Sequence, residues 1–119
     1  MQEVKKYTNK EWQAEFFRRA GGRLDEDGAP NVKGFMRVRF VCPACGTKYS
    51  LGEWIEAHKK TGPHDIGTMM QDGPRECIHR VAEDGKCDWC AYGFFCGPVM
   101  VEGVEGGTVH CFEFAEEDN

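Results

Sequence analysis

The sequence has no apolar run that approaches the roughly 20 residues of a membrane-spanning helix. Its first six residues, Met1 to Lys6, also lack the apolar stretch of a secretory signal peptide. We therefore expect no membrane association and a cytoplasmic location. In the cytoplasm thiols stay reduced, so cysteines are free to bind a metal ion.

The common catalytic motifs are missing as well. There is no H-E-x-x-H, no phosphate-binding G-x-x-x-x-G-K-[ST] and no G-x-S-x-G. A zinc deaminase needs H-x-E or C-x-E ahead of P-C-x-x-C, whereas Glu76 here precedes Cys77. The sequence therefore predicts a protein that is not an enzyme. The alternative is an enzyme with an unrecognised site around His79, Asp88 and a free cysteine.

Basic residues are in the minority, 15 against 20 acidic ones, which gives a net charge of −5. Compact nucleic-acid binders usually show the opposite balance. We interpret residues 116–119 as a solvated acidic tail. A nucleic-acid-binding zinc ribbon is the alternative, in which Arg37, Arg39 and Lys48 supply a positive face.

The chain has 119 residues, which predicts a single domain spanning residues 1–119. A hydrophobic core of this size is marginal by buried area alone, so a bound metal is expected to add stability. The seven cysteines are an odd number. In a reduced compartment an odd number argues against a disulfide framework and favours a metal site.

A metal-binding knuckle is formed by the segment Cys42-Pro43-Ala44-Cys45-Gly46, and Cys87 and Cys90 make a second C-x-x-C pair. Two such pairs indicate one structural Zn²⁺ per chain, held tetrahedrally by four thiolates. Spacing favours Cys90 as the fourth ligand and leaves Cys77 as a rival. His79, next but one to Cys77, is a third option. Four thiolates close the coordination shell, which favours a structural role over a catalytic one.

Two helices are predicted from capping boxes. Thr8 and Glu11 begin the first, which Gly21 ends, and Ser50 and Glu53 begin the second. Aromatic side chains recur at helical spacing in the first helix, Trp12 among them, and predict a face packed on the core.

Alternating apolar and basic residues at 36–42 predict a strand that leads into the knuckle. Residues 77–80 are expected to form a short turn or strand. Residues 98–102 and 108–114 should pair as an antiparallel hairpin. The predicted fold is thus a small α+β, zinc-ribbon-like domain with an N-terminal helix, a second short helix and a C-terminal β-hairpin.

Four segments, Phe40–Gly46, Glu76–Arg80, Cys87–Gly93 and Phe112–Ala115, carry a resemblance to a known group of proteins. They resemble a family of small uncharacterised bacteriophage and prophage proteins with the pattern VCPxCG, ECIxR, CDWxAYG and FxFA. The resemblance extends in order over residues 8–115.

This resemblance implies that Cys77 supplies the fourth thiolate, because the position of Cys90 is usually alanine or another small residue in that family. The implied ligands are Cys42, Cys45, Cys77 and Cys87. It also implies a non-catalytic phage accessory protein in the bacterial host cell, active in host takeover or counter-defence. The expected partner is a host or phage protein, with a small signalling molecule as a second possibility and nucleic acid less favoured.

Overall fold

The computed structural model describes residues 5–57, 69–70, 72–87, 89–90, 98–104 and 107–116. Within these ranges the chain forms four α-helices and two three-stranded sheets. The helices are α1 (Asn9–Ala20), α2 (Val32–Arg37), α3 (Leu51–Ala57) and α4 (Ile78–Ala82). The strands are β1 (Lys5–Thr8), β2 (Arg39–Val41), β3 (Lys48–Ser50), β4 (Val99–Val104), β5 (Gly107–Cys111) and β6 (Glu113–Phe114).

Helix α1 begins with the predicted capping box. The Glu11 backbone N–H donates to Thr8 Oγ1 at 3.1 Å, and the Thr8 N–H donates to Glu11 Oε1 at 2.9 Å. The helix ends at Gly21, whose φ of 87° lies in the left-handed region that glycine adopts without strain. Ser50 and Glu53 exchange the same pair of bonds at the start of α3. Both sequence-based helix starts are confirmed.

The two sheets share the last part of the chain. The first has the order β1-β4-β5, with β1 parallel to β4 and β4 antiparallel to β5. The second has the order β3-β2-β6, and both of its pairings are antiparallel. The predicted C-terminal hairpin is present as β4 and β5. Phe112 lies between β5 and β6, where the chain passes from one sheet to the other, and it is fully buried.

Aromatic side chains make up much of the core that joins α1 to the second sheet. Trp12 stacks on Phe16 and Phe114, with ring centroids 5.5 Å apart in each case. Phe40 and Phe114, which are opposite each other in β2 and β6, stack at 5.0 Å. Trp12 also packs on the smaller cluster under the first sheet. The aromatic face of α1 is therefore part of the core, as its spacing predicts.

The strand expected at residues 36–42 is shorter than predicted. Met36 and Arg37 belong to α2 instead, and the strand spans Arg39–Val41. Asn31 causes the difference, since its side chain caps α2 by accepting a hydrogen bond from the Gly34 N–H at 3.3 Å. Arg37 is consequently at a helix end, and only Arg39 lies on the strand.

Three other segments also differ from the prediction. Residues 78–82 form α4, where the sequence suggested a turn or strand at 77–80. The run 108–114 divides into β5 and β6, because Phe112 breaks the pairing with β4. Strand β1, which pairs in parallel with β4, was not predicted. Its side chains are mostly exposed, so the local pattern carries no strand signal.

Some expectations fall outside the described residues. These are the continuation of the second helix beyond Ala57, the positions of Asp88 and Cys96, and the tail after Glu116. Across the described ranges, the helices are all too short or too polar to cross a membrane.

Gly34 allows α1 and α2 to approach closely. A Cβ at this position would overlap the carbonyl oxygen of Ala20 and the side chain of Asn31. We expect Gly34→Ala to lower the free energy of unfolding by an amount near the top of the about 1–3 kcal/mol typical of overpacking. Chemical denaturation measures this. The control is Gly28→Ala, whose Cβ meets nothing within 4 Å but has a φ of 80°, and it should cost only about 1 kcal/mol. Equal effects of the two substitutions would contradict a steric origin.

Candidate metal centre

Four cysteine sulfurs converge between the β2–β3 turn and the segment around α4. The Sγ atoms of Cys42, Cys45, Cys77 and Cys87 all lie within 4.8 Å of one another. Cys42 and Cys87 are 3.9 Å apart, and Cys45 and Cys77 are 3.7 Å apart. A regular tetrahedron with Zn–S bonds of about 2.3 Å has edges of about 3.8 Å. The separations therefore suit a tetrahedral ion and are far longer than the roughly 2.05 Å of a disulfide bond.

The first two cysteines belong to a tight turn between β2 and β3. The Cys42 N–H donates to the Thr47 carbonyl at 3.0 Å, and the Gly46 N–H donates to the Cys42 carbonyl at 2.8 Å. Gly46 has a φ of 76°, in the left-handed region that glycine adopts without strain. The turn directs the backbone N–H groups of Ala44 and Cys45 toward the Cys42 sulfur. These donors stabilise a thiolate at that position.

The second two cysteines flank α4 and the turn after it. Cys77 is the N-cap residue of the helix, and its carbonyl accepts from the Arg80 N–H at 3.0 Å. The backbone N–H of His79 points at the Cys77 sulfur. Glu83 and Gly85, with φ values of 53° and 77°, reverse the chain and return it to Cys87. The chain between Cys77 and Cys87 thus consists of one short helix and the turn that follows it.

Among the residues that the structure describes, Cys90 is not part of the cluster of four sulfurs. It pairs with Glu76 in an isolated antiparallel bridge, while the Cys77 N–H donates to the Trp89 carbonyl at 3.2 Å. Successive residues of an extended segment point to opposite sides. Cys90 therefore shares a side with Glu76, and Cys77 points to the other. The structure thus groups Cys77, the ligand that the family resemblance implies, with Cys42, Cys45 and Cys87, whereas the C-x-x-C spacing favours Cys90.

Burial and hydrogen bonding act in opposite directions on the thiols. Burial raises the pKa of Cys42 and of Cys77, since a thiolate loses its hydration there. Burial also acts to raise the pKa of Cys45, but hydrogen bonding with the side chain and backbone of Thr47, and then with the Cys42 and Cys77 side chains, outweighs it and lowers that pKa to about 6. A divalent cation among the sulfurs deprotonates coordinating thiols outright. The cluster is thus chemically suited to a cation and costly to leave as thiolates alone.

A chain of polar side chains extends from Cys45 to the surface. Thr47 Oγ1 lies 3.3 Å from the Cys45 sulfur and 3.2 Å from His79 Nε2. His79 Nδ1 lies 2.7 Å from Asp84 Oδ2. The Lys86 N–H, and after it His79, lower the pKa of Asp84. His79 was a candidate ligand, but both of its ring nitrogens face these outer partners.

The opposite side of the cluster is apolar. Cys42 and Cys77 are fully buried in the main core, whereas Cys45 is exposed. Tyr49 on β3 is also fully buried, and its hydroxyl lies 2.9 Å from the Glu76 carbonyl oxygen. This bond ties β3 to the residue before Cys77. The core therefore fixes the relative positions of the two halves of the site.

A family model matches residues 8–115 and is described as VVA0879-like. That match covers almost the whole chain. The chain belongs to the VVA0879-like family. Comparison with curated proteins and with solved structures gave no match.

The basic residues proposed for the nucleic-acid alternative do not all come together in this VVA0879-like chain. Arg37 and Arg39 line a surface cavity with Arg18 and Arg19 from α1. Lys48 lies on β3, opposite Val41, and is not part of the cavity lining. The contributions of Arg18 and Arg19 were missed because i,i+1 arginines near a helix end ordinarily indicate only a favourable charge–dipole interaction.

Cys111 has no part in the metal centre. It is buried in the small cluster under the first sheet, and burial raises its pKa to about 12. A buried free cysteine such as this behaves as a small apolar side chain of the core.

Proposed function

We propose that the protein binds one structural Zn²⁺ through Cys42, Cys45, Cys77 and Cys87. The observation that carries this proposal is the convergence of four sulfurs at separations close to the edges of a zinc–thiolate tetrahedron. Soft thiolates favour Zn²⁺ or iron over Mg²⁺ and Ca²⁺. The ion clips the β2–β3 turn to the segment around α4.

The zinc has a structural and not a catalytic role in this proposal. Four thiolates leave no open position for water or substrate, which a catalytic zinc needs. His79, the residue named for an enzyme alternative, has Asp84 on one ring nitrogen and Thr47 on the other. These contacts support a positioning role for His79 rather than general acid–base catalysis.

The resulting function is that of a non-catalytic binding module. We assign it to the class of phage accessory proteins that act in the cytoplasm of a bacterial host by binding a host or phage protein. The small size, the absence of catalytic motifs and the net charge of −5 support this class. The expected role is host takeover or counter-defence.

Metal analysis tests the zinc proposal directly. We expect one zinc ion per chain in untagged protein purified without added metal, measured by mass spectrometry of the intact native protein and by elemental analysis. A stoichiometry well below one would contradict the proposal. Iron in place of zinc, visible as charge-transfer colour, would also contradict it, although the ligand set would stand.

Affinity capture tests the binding role. Immobilised zinc-loaded protein should retain a defined host or phage protein from infected-cell lysate, and purified partner should then bind it in isolation. Cys90→Ser is the matched control, because it changes a cysteine outside the cluster. It should capture the same protein, whereas Cys77→Ser should not. If neither the zinc-loaded protein nor the Cys90→Ser variant retained a specific protein, this would contradict the binding role. The metal-site proposal would still stand.

A further inference from the structure

Four arginines from three separate parts of the chain converge on one surface cavity. Arg18 and Arg19 come from the last turn of α1, Arg37 from the end of α2 and Arg39 from β2. The cavity has a volume of about 170 Å³ and is closed on another side by the residues after β6. Glu116 is the one carboxylate among its lining residues in the described part of the chain. This concentration of positive charge stands out in a chain whose net charge is −5.

The base of the cavity is preorganised. Arg19 Nε donates to Glu15 Oε1 at 2.7 Å, and its guanidinium lies 4.7 Å from the centre of the Phe114 ring. Arg18 donates to both oxygens of Glu15, at 3.1 and 2.6 Å. The two guanidiniums lower the pKa of Glu15 to about 2, Arg18 more strongly than Arg19. Glu15 therefore stays ionised and holds both arginines in place without cancelling their combined charge.

The Arg37 guanidinium offers the cavity N–H donors that no residue in the described part of the chain accepts from. Its Nη2 atom lies beside Gly21 at the end of α1. The side chain is exposed, and it makes no hydrogen bond or ion pair with any residue that the structure describes. A guanidinium presents a fork of N–H donors that matches two oxygens of a phosphate group. Because the Arg37 side chain is exposed, packing against the core does not account for its position in a cavity with three other arginines.

We propose that this cavity, the arginine pocket, binds the phosphate group of a small phosphorylated molecule. Ordinary small-molecule sites have volumes of about 300–1,000 Å³, so a cavity of about 170 Å³ admits one phosphate group and leaves the rest of the ligand outside. A nucleic-acid interface engages several phosphates along a basic stripe. Lys48, which would extend such a stripe, does not line the pocket. The inference goes beyond the proposed protein-binding role, and it does not depend on the metal.

The test is a binding titration of the full-length, metal-loaded protein. Inorganic phosphate, adenosine monophosphate and adenosine are added separately, and amide and arginine side-chain NMR shifts are followed. We expect saturable one-to-one binding of the two phosphate-containing probes, with shifts centred on the arginine pocket, and no binding of adenosine. Equal affinities identify free phosphate as a sufficient ligand, and tighter nucleotide binding identifies the phosphate ester as the source. Either result supports the proposal.

Two variants and a control locate the binding. Arg37→Gln should weaken phosphate binding by at least about tenfold, because a charged hydrogen-bond donor is lost. Arg37→Lys should recover part of the affinity, since it keeps the charge but not the fork. Lys10→Gln removes one positive charge from an exposed site in the first turn of α1 and should leave the affinity unchanged. The Arg37 side chain makes no described polar contact, so its replacement should not disturb folding.

Three results would overturn the proposal. They are dissociation constants weaker than about 10 mM for both phosphate probes, equal weakening by Arg37→Gln and Lys10→Gln, and preferential binding of a single-stranded oligonucleotide with a salt dependence of several phosphates. Zinc content is measured on the same samples. A sample that holds its zinc but does not bind phosphate contradicts the arginine-pocket proposal and leaves the metal proposal standing.

Discussion

Cys77→Ser is expected to abolish or severely weaken metal binding, whereas Cys90→Ser should leave it intact. The Cys77 sulfur lies 3.7 Å from that of Cys45 and within the cluster of four. A serine hydroxyl cannot replace a soft thiolate donor to zinc. Removing even an outer-shell partner of a metal ligand typically costs about 10–100-fold in affinity. Loss of a ligand should therefore cost more than that.

The same two variants should differ in stability. Cys77 is fully buried at the N-cap of α4, so Cys77→Ser loses both the metal and a well-packed side chain. Cys90→Ser should lose only a partly buried apolar contact, at a cost of about 1 kcal/mol or less. Zinc content and thermal melting of the purified variants measure both effects. If Cys90→Ser released the metal and Cys77→Ser retained it, the four-sulfur cluster would not be the binding site.

Metal removal is expected to unfold the protein. The free energy of zinc binding to a structural thiolate site is about 10–16 kcal/mol, and whole domains are stable by only about 5–15 kcal/mol. Without the ion, the β2–β3 turn and the segment around α4 lose their direct link. The four thiols then share a partly buried space without a cation to compensate thiolate charge.

Chelation followed by calorimetry and amide NMR tests this expectation. The chelated protein should lose its cooperative melting transition and its dispersed NMR spectrum, and added zinc should restore both. Cys77→Ser is the control, because chelator should not change its behaviour further. An unchanged melting curve after verified removal of the metal would show that the core is stable by itself.

Local signals in the sequence predicted the local features of the fold. The capping pairs Thr8–Glu11 and Ser50–Glu53 mark where α1 and α3 begin. They succeed because a capping box needs only residues three apart. Gly46 likewise indicates the knuckle, since its positive φ is a property of the turn itself. These features involve interactions within one turn of chain.

Predictions failed where distant residues decide the structure. Strand β1 exists because β4, far along the chain, pairs with it in parallel. The run 108–114 is divided between two sheets because Phe112 is drawn into the core beside Tyr49 and Trp89. Alternation of side chains cannot indicate which strand will be a partner or where a strand changes sheets.

The sequence by itself indicated a cysteine cluster suited to a metal ion, beginning at the Cys42–Gly46 knuckle, because that motif is local. Residue spacing alone left the fourth sulfur open between Cys77 and Cys90; the family resemblance implied Cys77, and the tertiary structure groups Cys77 with the other three. The bridge between Glu76 and Cys90 turns Cys90 away and leaves Cys77 beside Cys45. Only the tertiary structure brought Arg18 and Arg19 together with Arg37 and Arg39. Both outcomes depend on the packing of segments that are distant in sequence, and residue spacing does not encode that packing.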